Sequence, residues 1–343
     1  MASYLIRRLL LVIPTFLGIT LLVFTITRFV PGGPVDKIIT EARQLNQSSG
    51  TATNVYQSEN SDSPLSPEQI QELKEFYGFD KPVLISYVQW LGKILQLDLG
   101  TSTRYYDPVW ETIKGKMPVS IYYGTLSTIL VYLVCIPLGV LKAIKHKTFI
   151  DNSSSVLVLV GYALPGFIVA IILFVWPAAH WDLFPLGGFV SNNFDDLAFM
   201  DQVWDIIYHS VLPMIAYMIG SFATMTFLMK NTLMDNLSAD YVRTAIAKGL
   251  SFKGAVFKHA FRNSIIPLAT HFGNNISMFL AGSFLIEKVF NIDGLGLLGF
   301  ESLVERDYPV VLGVLVITTV LGLLGNILSD FCVALVDPRV KFE

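Results

Sequence analysis

Residues 238–267, SADYVRTAIAKGLSFKGAVFKHAFRNSIIP, form a polar and basic segment between two long apolar runs. Ser238 or Asp240 is suited to cap a short helix, because side-chain oxygens at this position accept backbone N–H groups. We expect this helix to end at Ala247, since Gly249 readily adopts the left-handed conformation that follows a helix. The pattern predicts the first half of a compact knob that protrudes from the apolar part of the chain.

A second short helix is predicted from Ser251 to about Asn263, and Pro267 is suited to open the next apolar run. Two interpretations of the knob are open. A solvated basic loop would satisfy the preference of cytoplasmic loops for Lys and Arg. A docking surface for a cytoplasmic protein would also explain the apolar residues in the knob, which are Tyr241, Val242, Ala245, Ile246, Leu250, Phe252, Val256, Phe257 and Phe261.

The composition predicts an integral membrane protein. Only 15% of the 343 residues are charged and the mean hydropathy is +0.56, which leaves too little polar surface for a soluble protein of this size. The net charge of −3 gives no reason to expect a nucleic-acid partner. Cys135 and Cys332 lie in separate apolar runs without metal-ligand spacing, so we expect two buried thiols and no metal site.

Apolar runs divide the chain into six predicted transmembrane helices. Each is long enough to cross roughly 30 Å of hydrocarbon. Lys and Arg concentrate in the connections on one side, so both termini are predicted to be cytoplasmic. The first run follows Arg7 and Arg8 and leads into PGGP instead of a cleavage site, so we expect it to be retained. The six runs are 9–30, 119–141, 153–176, 209–229, 266–288 and 309–335.

The long connection after the first helix is predicted to lie on the outer side. Its polar part, 41–65, is expected to be mobile. A helix is expected from Ser66, and 87–99 is amphipathic, so we predict a small helical cap on the outer face, with a plain spacer as the alternative. The predicted parts are a first transmembrane helix (1–34), an outer segment (35–118), a membrane core containing the knob (119–336) and a cytoplasmic tail (337–343).

The fifth run contains the polar residues His271, Asn274, Asn275 and Ser277. The first three share one helix face by their spacing. They either line a substrate pathway or form hydrogen bonds between helices, because polar groups in a membrane avoid lipid. Beyond this run, glycines alternate with leucines in 294–299, which predicts a tight turn and a short helix at the outer interface.

Known catalytic patterns are missing from the sequence. We find no zinc-protease, CxxC or phosphate-binding motif and no Ser/His/Asp arrangement. The runs also lack an Asp or Glu at the midplane, where proton- or sodium-driven carriers usually place a coupling residue. We therefore predict that the chain is not an enzyme and that energy enters from another protein through the knob.

Several stretches resemble the permease subunits of ABC importers. Arg243, Thr244 and Ala245 followed by Gly249 resemble their EAA loop, although the general pattern has Glu and Ala in place of Arg and Thr. Asp293 stands where many relatives have proline, and this difference resembles the Yej-type oligopeptide permeases. The C-terminal LVDPRVKFE resembles the same group. The peptide-import branch is matched in chain order by YLIRRLLLVIPT, PGGP, YGFDKP (77–82), GLGLLGFE (294–301), RDYPV (306–310) and DPR (337–339).

The resemblance implies the type I importer fold in a bacterial inner membrane, surrounded by lipid. It implies pairing with a second homologous permease, a periplasmic peptide-binding protein, and ATP-binding subunits that hold ATP and Mg²⁺ while this chain binds no cofactor. His271, Asn274, Asn275 and Ser277 become candidates for the translocation path. The candidate outer gate comprises Gly294, Gly296, Arg306 and Asp307. The ATPase-coupling candidates are Tyr241, Arg243, Thr244, Ala245, Gly249, Leu250, Phe257, His259, Arg262 and Asn263.

The cargo implied by the resemblance is oligopeptides, including peptide antibiotics of the microcin C type. Two alternatives stay open at this point. The same importer class also carries nickel chelates, glutathione or oligosaccharides. A membrane scaffold that recruits a cytoplasmic protein without transport would equally explain a docking knob.

Overall fold

The computed structural model describes residues 2–30, 35, 38–40, 42–44, 65–76 and 80–337. Within these residues the chain is helical apart from turns and one isolated bridge between Thr101 and Pro108, which confirms the predicted all-α class. The helices are α1 (Ala2–Phe29), α2 (Pro67–Phe76), α3 (Val83–Leu95), α4 (Val109–Ile144), α5 (Phe149–Ala163), α6 (Gly166–Leu173), α7 (Phe199–Ser238), α8 (Asp240–Ala247), α9 (Phe252–Ala255), α10 (Phe261–Ser264), α11 (Ile266–Leu280), α12 (Phe284–Val289), α13 (Leu295–Val304) and α14 (Tyr308–Val336).

Four described helices, α1, α4, α7 and α14, are long and apolar enough to cross a membrane. A fifth candidate consists of α5 and the helical segment Gly166–His180, which meet at a bend of 96°. The bend lies at Pro165. A residue before proline avoids the helical conformation, and Leu164 is accordingly extended, with φ −93° and ψ 123°. The predicted run 266–288 is divided into α11 and α12, so the number of six crossings stays a prediction.

The long helices extend well beyond the predicted runs. Helix α4 begins at Val109, ahead of the predicted start at 119, and α7 covers Phe199–Ser238 where 209–229 was predicted. The apolar runs mark only the part of each helix that suits hydrocarbon, and helical structure continues into the polar flanks. The internal prolines Pro137 and Pro213 do not interrupt these helices.

The chain forms two compact units. The large unit comprises Met1–Val12, Lys116–Leu298 and Thr318–Glu343. Within it, α11 and α14 approach so closely that a Cβ atom on Gly273 would overlap the carbonyl oxygen of Gly325. Ser277 Oγ donates to the Leu321 carbonyl at 2.8 Å across this contact. Glycine is required here because the two helix backbones touch.

The small unit comprises Ile13–Gly115 and Gly299–Ile317. Its buried core contains Phe24 of α1, Tyr87 of α3 and Leu312 of α14. The predicted helix start at Ser66 is confirmed, because Ser66 Oγ accepts the N–H of Gln69 at 3.2 Å. Most of 41–65 lies outside the described residues, as do 338–343, so the predicted mobile segment and tail, and the division into membrane and outer parts, stay predictions.

Candidate functional site

The predicted knob consists of α8 followed by α9 and α10, with Gly249 at the junction. The end of α8 forms the expected glycine motif. The Gly249 N–H donates to the Ile246 carbonyl at 2.9 Å, and the Leu250 N–H donates to the Ala245 carbonyl at 3.2 Å. Gly249 has φ +91°, in the left-handed region that side chains with a Cβ atom disfavour. The predicted role of Gly249 as the helix terminator is confirmed.

The start of α8 differs from the prediction. Ala239 occupies the capping position, and no side chain of the described residues caps the helix. Ser238 is the last residue of α7 and donates from Oγ to the Asp235 carbonyl at 2.8 Å, while Asp240 is already the first residue of α8. Capping by either residue was therefore a wrong prediction, because α7 continues to the edge of the knob.

The second half of the knob is one helical stretch from Phe252 to Ser264. Ser251 Oγ accepts the N–H of Gly254 at 3.3 Å, as expected for a cap. The stretch contains a π-helical turn at Val256–Ala260, which the sequence did not predict. Such turns insert an extra residue and often occur at functional sites. Pro267 lies in the first turn of α11, as predicted.

The apolar residues of the knob serve two purposes. One group is fully buried and packs against α4 and α7, which fixes the knob to the long helices. A second group remains on the surface: Tyr241, Ile246, Phe252 and Phe257 are 41–56% exposed. The buried cluster comprises Val242, Ala255, Val256 and Ala260 of the knob, Val140 and Ala143 of α4, Met229 and Leu233 of α7, and Leu268 of α11.

An open groove of about 550 Å³ lies on the knob where its two halves meet. The groove combines an apolar floor with a cationic side chain and an imidazole, so it suits a partner that offers both apolar and acidic groups. Six predicted coupling residues are brought together here, and Lys248 was missed by the prediction. The lining residues are Tyr241, Thr244, Ala245, Lys248, Gly249, Leu250 and His259.

A polar chain holds the groove in shape. The Tyr241 hydroxyl donates to Asn236 Oδ1 of α7 at 2.6 Å and accepts from Asn263 Nδ2 of α10 at 3.0 Å. Thr232 Oγ1 donates to the Ser264 carbonyl at 3.0 Å. These contacts link both halves of the knob to α7, a helix long enough to cross the membrane. Asn263 therefore acts as a support and does not line the groove.

The other coupling candidates, Arg243, Phe257 and Arg262, are exposed outside the groove. The Arg243 guanidinium lies 3.8 Å from Asp240, and both side chains are mostly exposed, so this pair adds little stability. Among the residues that the structure describes, no cluster of His, Cys, Asp or Glu is arranged to hold a metal ion.

Beside the knob, a buried ion cluster joins three helices and was not predicted. Lys230 Nζ of α7 contacts both carboxylate oxygens of Asp151, at 2.7 and 2.9 Å. Lys142 of α4 is completely buried and lies 3.2 Å from the same carboxylate, with further bonds to Ser154 and Ser155 of α5. Because each buried charge has a partner, the cluster fixes α4, α5 and α7 relative to one another.

The structure separates the polar residues of α11. His271 and Asn274 are exposed on the described chain. Asn275 is buried and donates to the Tyr132 hydroxyl at 3.4 Å, whereas Ser277 is buried against α14. The expected shared face of His271, Asn274 and Asn275 is therefore divided between an open surface and a helix contact.

Gly294 and Gly296 enclose a buried carboxylate. Glu287, which is 1% exposed, accepts hydrogen bonds from the Tyr217 hydroxyl at 2.9 Å and from the Leu297 N–H at 2.6 Å. A Cβ atom on Gly294 would lie 2.7 Å from this carboxylate. The Gly-Leu alternation therefore makes room for Glu287, which the sequence reasoning did not single out.

The other two gate candidates belong to the small unit. Asp307 is fully buried and accepts from Ser102 Oγ at 2.5 Å and from the Thr103 N–H at 3.2 Å. Arg306 is exposed and has φ +61°. Asp307 therefore holds the turn that begins at Ser102, and Arg306 occupies a strained position two residues before α14.

Residues 135–342 match the family described as "Binding-protein-dependent transport system inner membrane component". The whole chain is 44% identical to the inner membrane ABC transporter permease protein YejB of Escherichia coli O157:H7, and each chain is covered completely. It is 39% identical to the peptidoglycan transport system permease protein YejB of Agrobacterium fabrum, over 100% of this chain and 99% of the other. It is 34% identical to the oligopeptide transport system permease protein AppB of Bacillus subtilis, over 100% of both chains.

Among solved structures, the chain is similar to one titled "Inward facing conformations of the MetNI methionine ABC transporter: CY5 native crystal form". The TM-score is 0.51 at 15% identity, over 66% of this chain and 97% of the other. At this identity the similarity concerns the fold, and it supports the predicted type I permease fold. The chain therefore belongs to the family of binding-protein-dependent transport system inner membrane components, as a multi-pass ABC transporter permease subunit.

Proposed function

We propose that this chain is the permease subunit of an ATP-driven importer that moves oligopeptides across a bacterial inner membrane. The observation that carries the proposal is the groove on a knob that is packed and hydrogen-bonded to α4 and α7. ATP-binding subunits dock in this groove, hydrolyse ATP with their own Mg²⁺, and move the long helices through these contacts. The chain itself needs no cofactor for this role.

The family description names a binding-protein-dependent system, which supports a binding protein as one of the remaining partners. A periplasmic binding protein delivers the cargo. A second homologous permease completes the pathway, and the exposure of His271 and Asn274 on α11 supports a partner at this surface. Both termini lie in the cytoplasm and the chain crosses the membrane six times if α11 and α12 act together as the fifth crossing. The grouping of Lys and Arg in the connections supports this orientation.

Peptides are the cargo that the relatives' names support. One relative is named for oligopeptide transport and another for peptidoglycan transport, so the cargo includes free oligopeptides and the peptide-bearing fragments of cell walls. The Yej-type resemblance extends this class to peptide antibiotics of the microcin C type. Nickel chelates, glutathione and oligosaccharides serve as comparison cargoes in the test below.

Reconstitution tests this function. The chain, a second permease, the ATP-binding subunits and the binding protein are placed together in proteoliposomes, and ATPase activity is measured with each cargo. We expect oligopeptides to stimulate ATPase activity and to accumulate in the lumen. Stimulation by one of the other cargoes alone would identify an importer of that cargo. ATPase activity that stays the same with every cargo would identify a membrane scaffold without transport.

Within the pathway, we propose that His271 and Asn274 contact the cargo, whereas Asn275 and Ser277 hold helices together. The exposure of the first pair and the burial of the second support this division. We also propose Gly294, Gly296, Arg306 and Asp307 as residues of the outer gate. Within the large unit Glu287 fixes the turn at Gly294 and Gly296, and within the small unit Asp307 fixes the turn at Ser102.

Alanine substitutions separate the two roles on α11. His271→Ala with Asn274→Ala is expected to change the relative uptake of acidic and basic tripeptides while the amount of assembled complex stays constant. Ser277→Ala removes the bond to α14 and is expected to lower thermal stability by about 1 kcal/mol without altering selectivity. Competition uptake assays and thermal unfolding measure both effects. Unchanged selectivity in the double variant would contradict the proposed cargo contact.

A further inference from the structure

We propose that α3 (Val83–Leu95) is inserted into the membrane leaflet on the side opposite Arg7 and Arg8, and that Leu84, Val88 and Leu95 contact lipid acyl chains. The helix has 13 residues, too few to cross the bilayer. It would therefore enter the leaflet without spanning it. This inference rests on α1 crossing the membrane and is independent of which cargo the protein carries.

The depth of α3 follows from its contact with α1. Residues 9–27 of α1 contain no charged residue and are bounded by Arg8 and Arg28. As a helix they span roughly 28 Å, which matches the hydrocarbon core, so the middle of the crossing lies near Gly18. The Tyr87 hydroxyl of α3 donates to the Leu17 carbonyl at 3.1 Å. This hydroxyl therefore lies close to the middle of the membrane.

The position of α3 is fixed by buried contacts. The Tyr87 hydroxyl also forms a hydrogen bond with Thr20 Oγ1 at 2.9 Å, and Thr20 is completely buried. The ring of Phe24 lies 5.6 Å from that of Tyr87 and 5.4 Å from that of Trp90. The surface of the hydrocarbon core is about 15 Å from its middle, farther than a tyrosine side chain reaches, so the α3 backbone lies below that surface.

A second face of α3 is apolar and is left exposed by the residues that the structure describes. Leu84, Val88 and Leu95 are 66%, 64% and 81% exposed, and their spacing places them on one side of the helix. Gln89 and Lys93 lie on another side, also four residues apart. Three large exposed side chains in one stripe are unfavourable in water and favourable against acyl chains, because the transfer of apolar surface out of water lowers the free energy.

The outer half of α1 supports lipid as the occupant of this stripe. Leu22 and Ile26 of α1 are 59% and 51% exposed and lie between Gly18 and Arg28. Exposed leucine and isoleucine in this part of a membrane crossing face lipid. The apolar stripe of α3 therefore lies at the same depth in the membrane as the part of α1 that contacts acyl chains. The stripe enlarges the lipid-facing surface of α1.

Spin labels test the inference in the reconstituted complex, in phosphatidylethanolamine and phosphatidylglycerol vesicles. Leu84→Cys and Val88→Cys are labelled after Cys135 and Cys332 are replaced by Ala, with Gln71→Cys on the polar helix α2 as the water-exposed control. We expect labels at 84 and 88 to collide with oxygen more than with a water-soluble nickel complex, and the control to show the reverse. A membrane-impermeant maleimide should react on the order of tenfold more slowly at 84 and 88.

Collision with the nickel complex at both 84 and 88 would overturn the inference, because it would place α3 in water. Protection from both oxygen and nickel would overturn it in favour of a protein contact with the second permease. Protection that appears only after the peptide-loaded binding protein is added would identify that protein as the occupant. Since Leu84 and Val88 are mostly exposed, their replacement removes little packing, so the labelled variants report on the native position of α3.

Discussion

A Gly249→Val permease is expected to insert and assemble in the membrane but to lose most of its ATP-driven peptide uptake. Gly249 has φ +91°, and a β-branched residue strongly disfavours this conformation. A Cβ atom at this position would meet no atom within 4 Å, so the substitution creates strain without a steric clash. The strain of about 1–3 kcal/mol reorients α9 against α8 and distorts the groove.

Uptake of a labelled tripeptide into proteoliposomes measures this effect. Because each 1.4 kcal/mol changes an equilibrium tenfold, we expect docking of the ATP-binding subunits to weaken by roughly tenfold or more. Gly249→Asn is the matched control, since asparagine tolerates the left-handed conformation, and it should retain most uptake. Wild-type uptake by the valine variant would contradict a coupling role for the groove.

Replacing Glu287 by Ala is expected to destabilise the membrane core more than any surface substitution. The Tyr217 hydroxyl and the N–H groups of Ser283 and Leu297 would lose their carboxylate acceptor in a buried site. Each unsatisfied buried donor costs about 1–3 kcal/mol, and a cavity adds to this cost. Thermal unfolding of the detergent-purified complex measures the loss, which we expect to total several kcal/mol by the same estimate.

Two variants make this test specific. Glu287→Gln preserves the shape but places an amide N–H₂ against at least one backbone donor, so its stability should lie between those of the wild type and the alanine variant. Asp293→Ala removes a carboxylate that pairs with Lys116 and is 67% exposed, and should cost no more than about 1 kcal/mol. Equal stability of the alanine variants at 287 and 293 would contradict the anchoring role of Glu287.

Local signals in the sequence predicted the knob well. Ser251 caps a helix with its side chain, and Gly249 ends a helix through its backbone conformation. Both effects involve residues only a few positions away, so the two roles can be inferred from the neighbouring sequence alone. The membrane class follows from composition, because bilayer insertion depends on hydropathy summed over many residues.

Contacts between distant segments could not be predicted in the same way. Asp151 meets Lys230, 79 positions later in the sequence, only after α5 and α7 pack together. Glu287 meets Tyr217 across 70 positions. In the sequence, Asp151, Lys230 and Glu287 are polar residues at the edges of apolar runs, and Tyr217 lies inside one. The division of His271 from Asn275 likewise depends on which neighbouring helix covers each side of α11, and Tyr132 of α4 is the deciding contact.

The central claim is that the groove receives the ATP-binding subunit, and photo-crosslinking tests it most directly. Lys248, which lines the groove, is replaced by p-benzoylphenylalanine in the complete transporter, with the same replacement at Lys147, an exposed residue outside the groove, as the control. We predict a crosslink from position 248 to the ATP-binding subunit that is much weaker in a Gly249→Val background. A transporter that imports peptide normally while position 248 yields no crosslink to that subunit would contradict the claim.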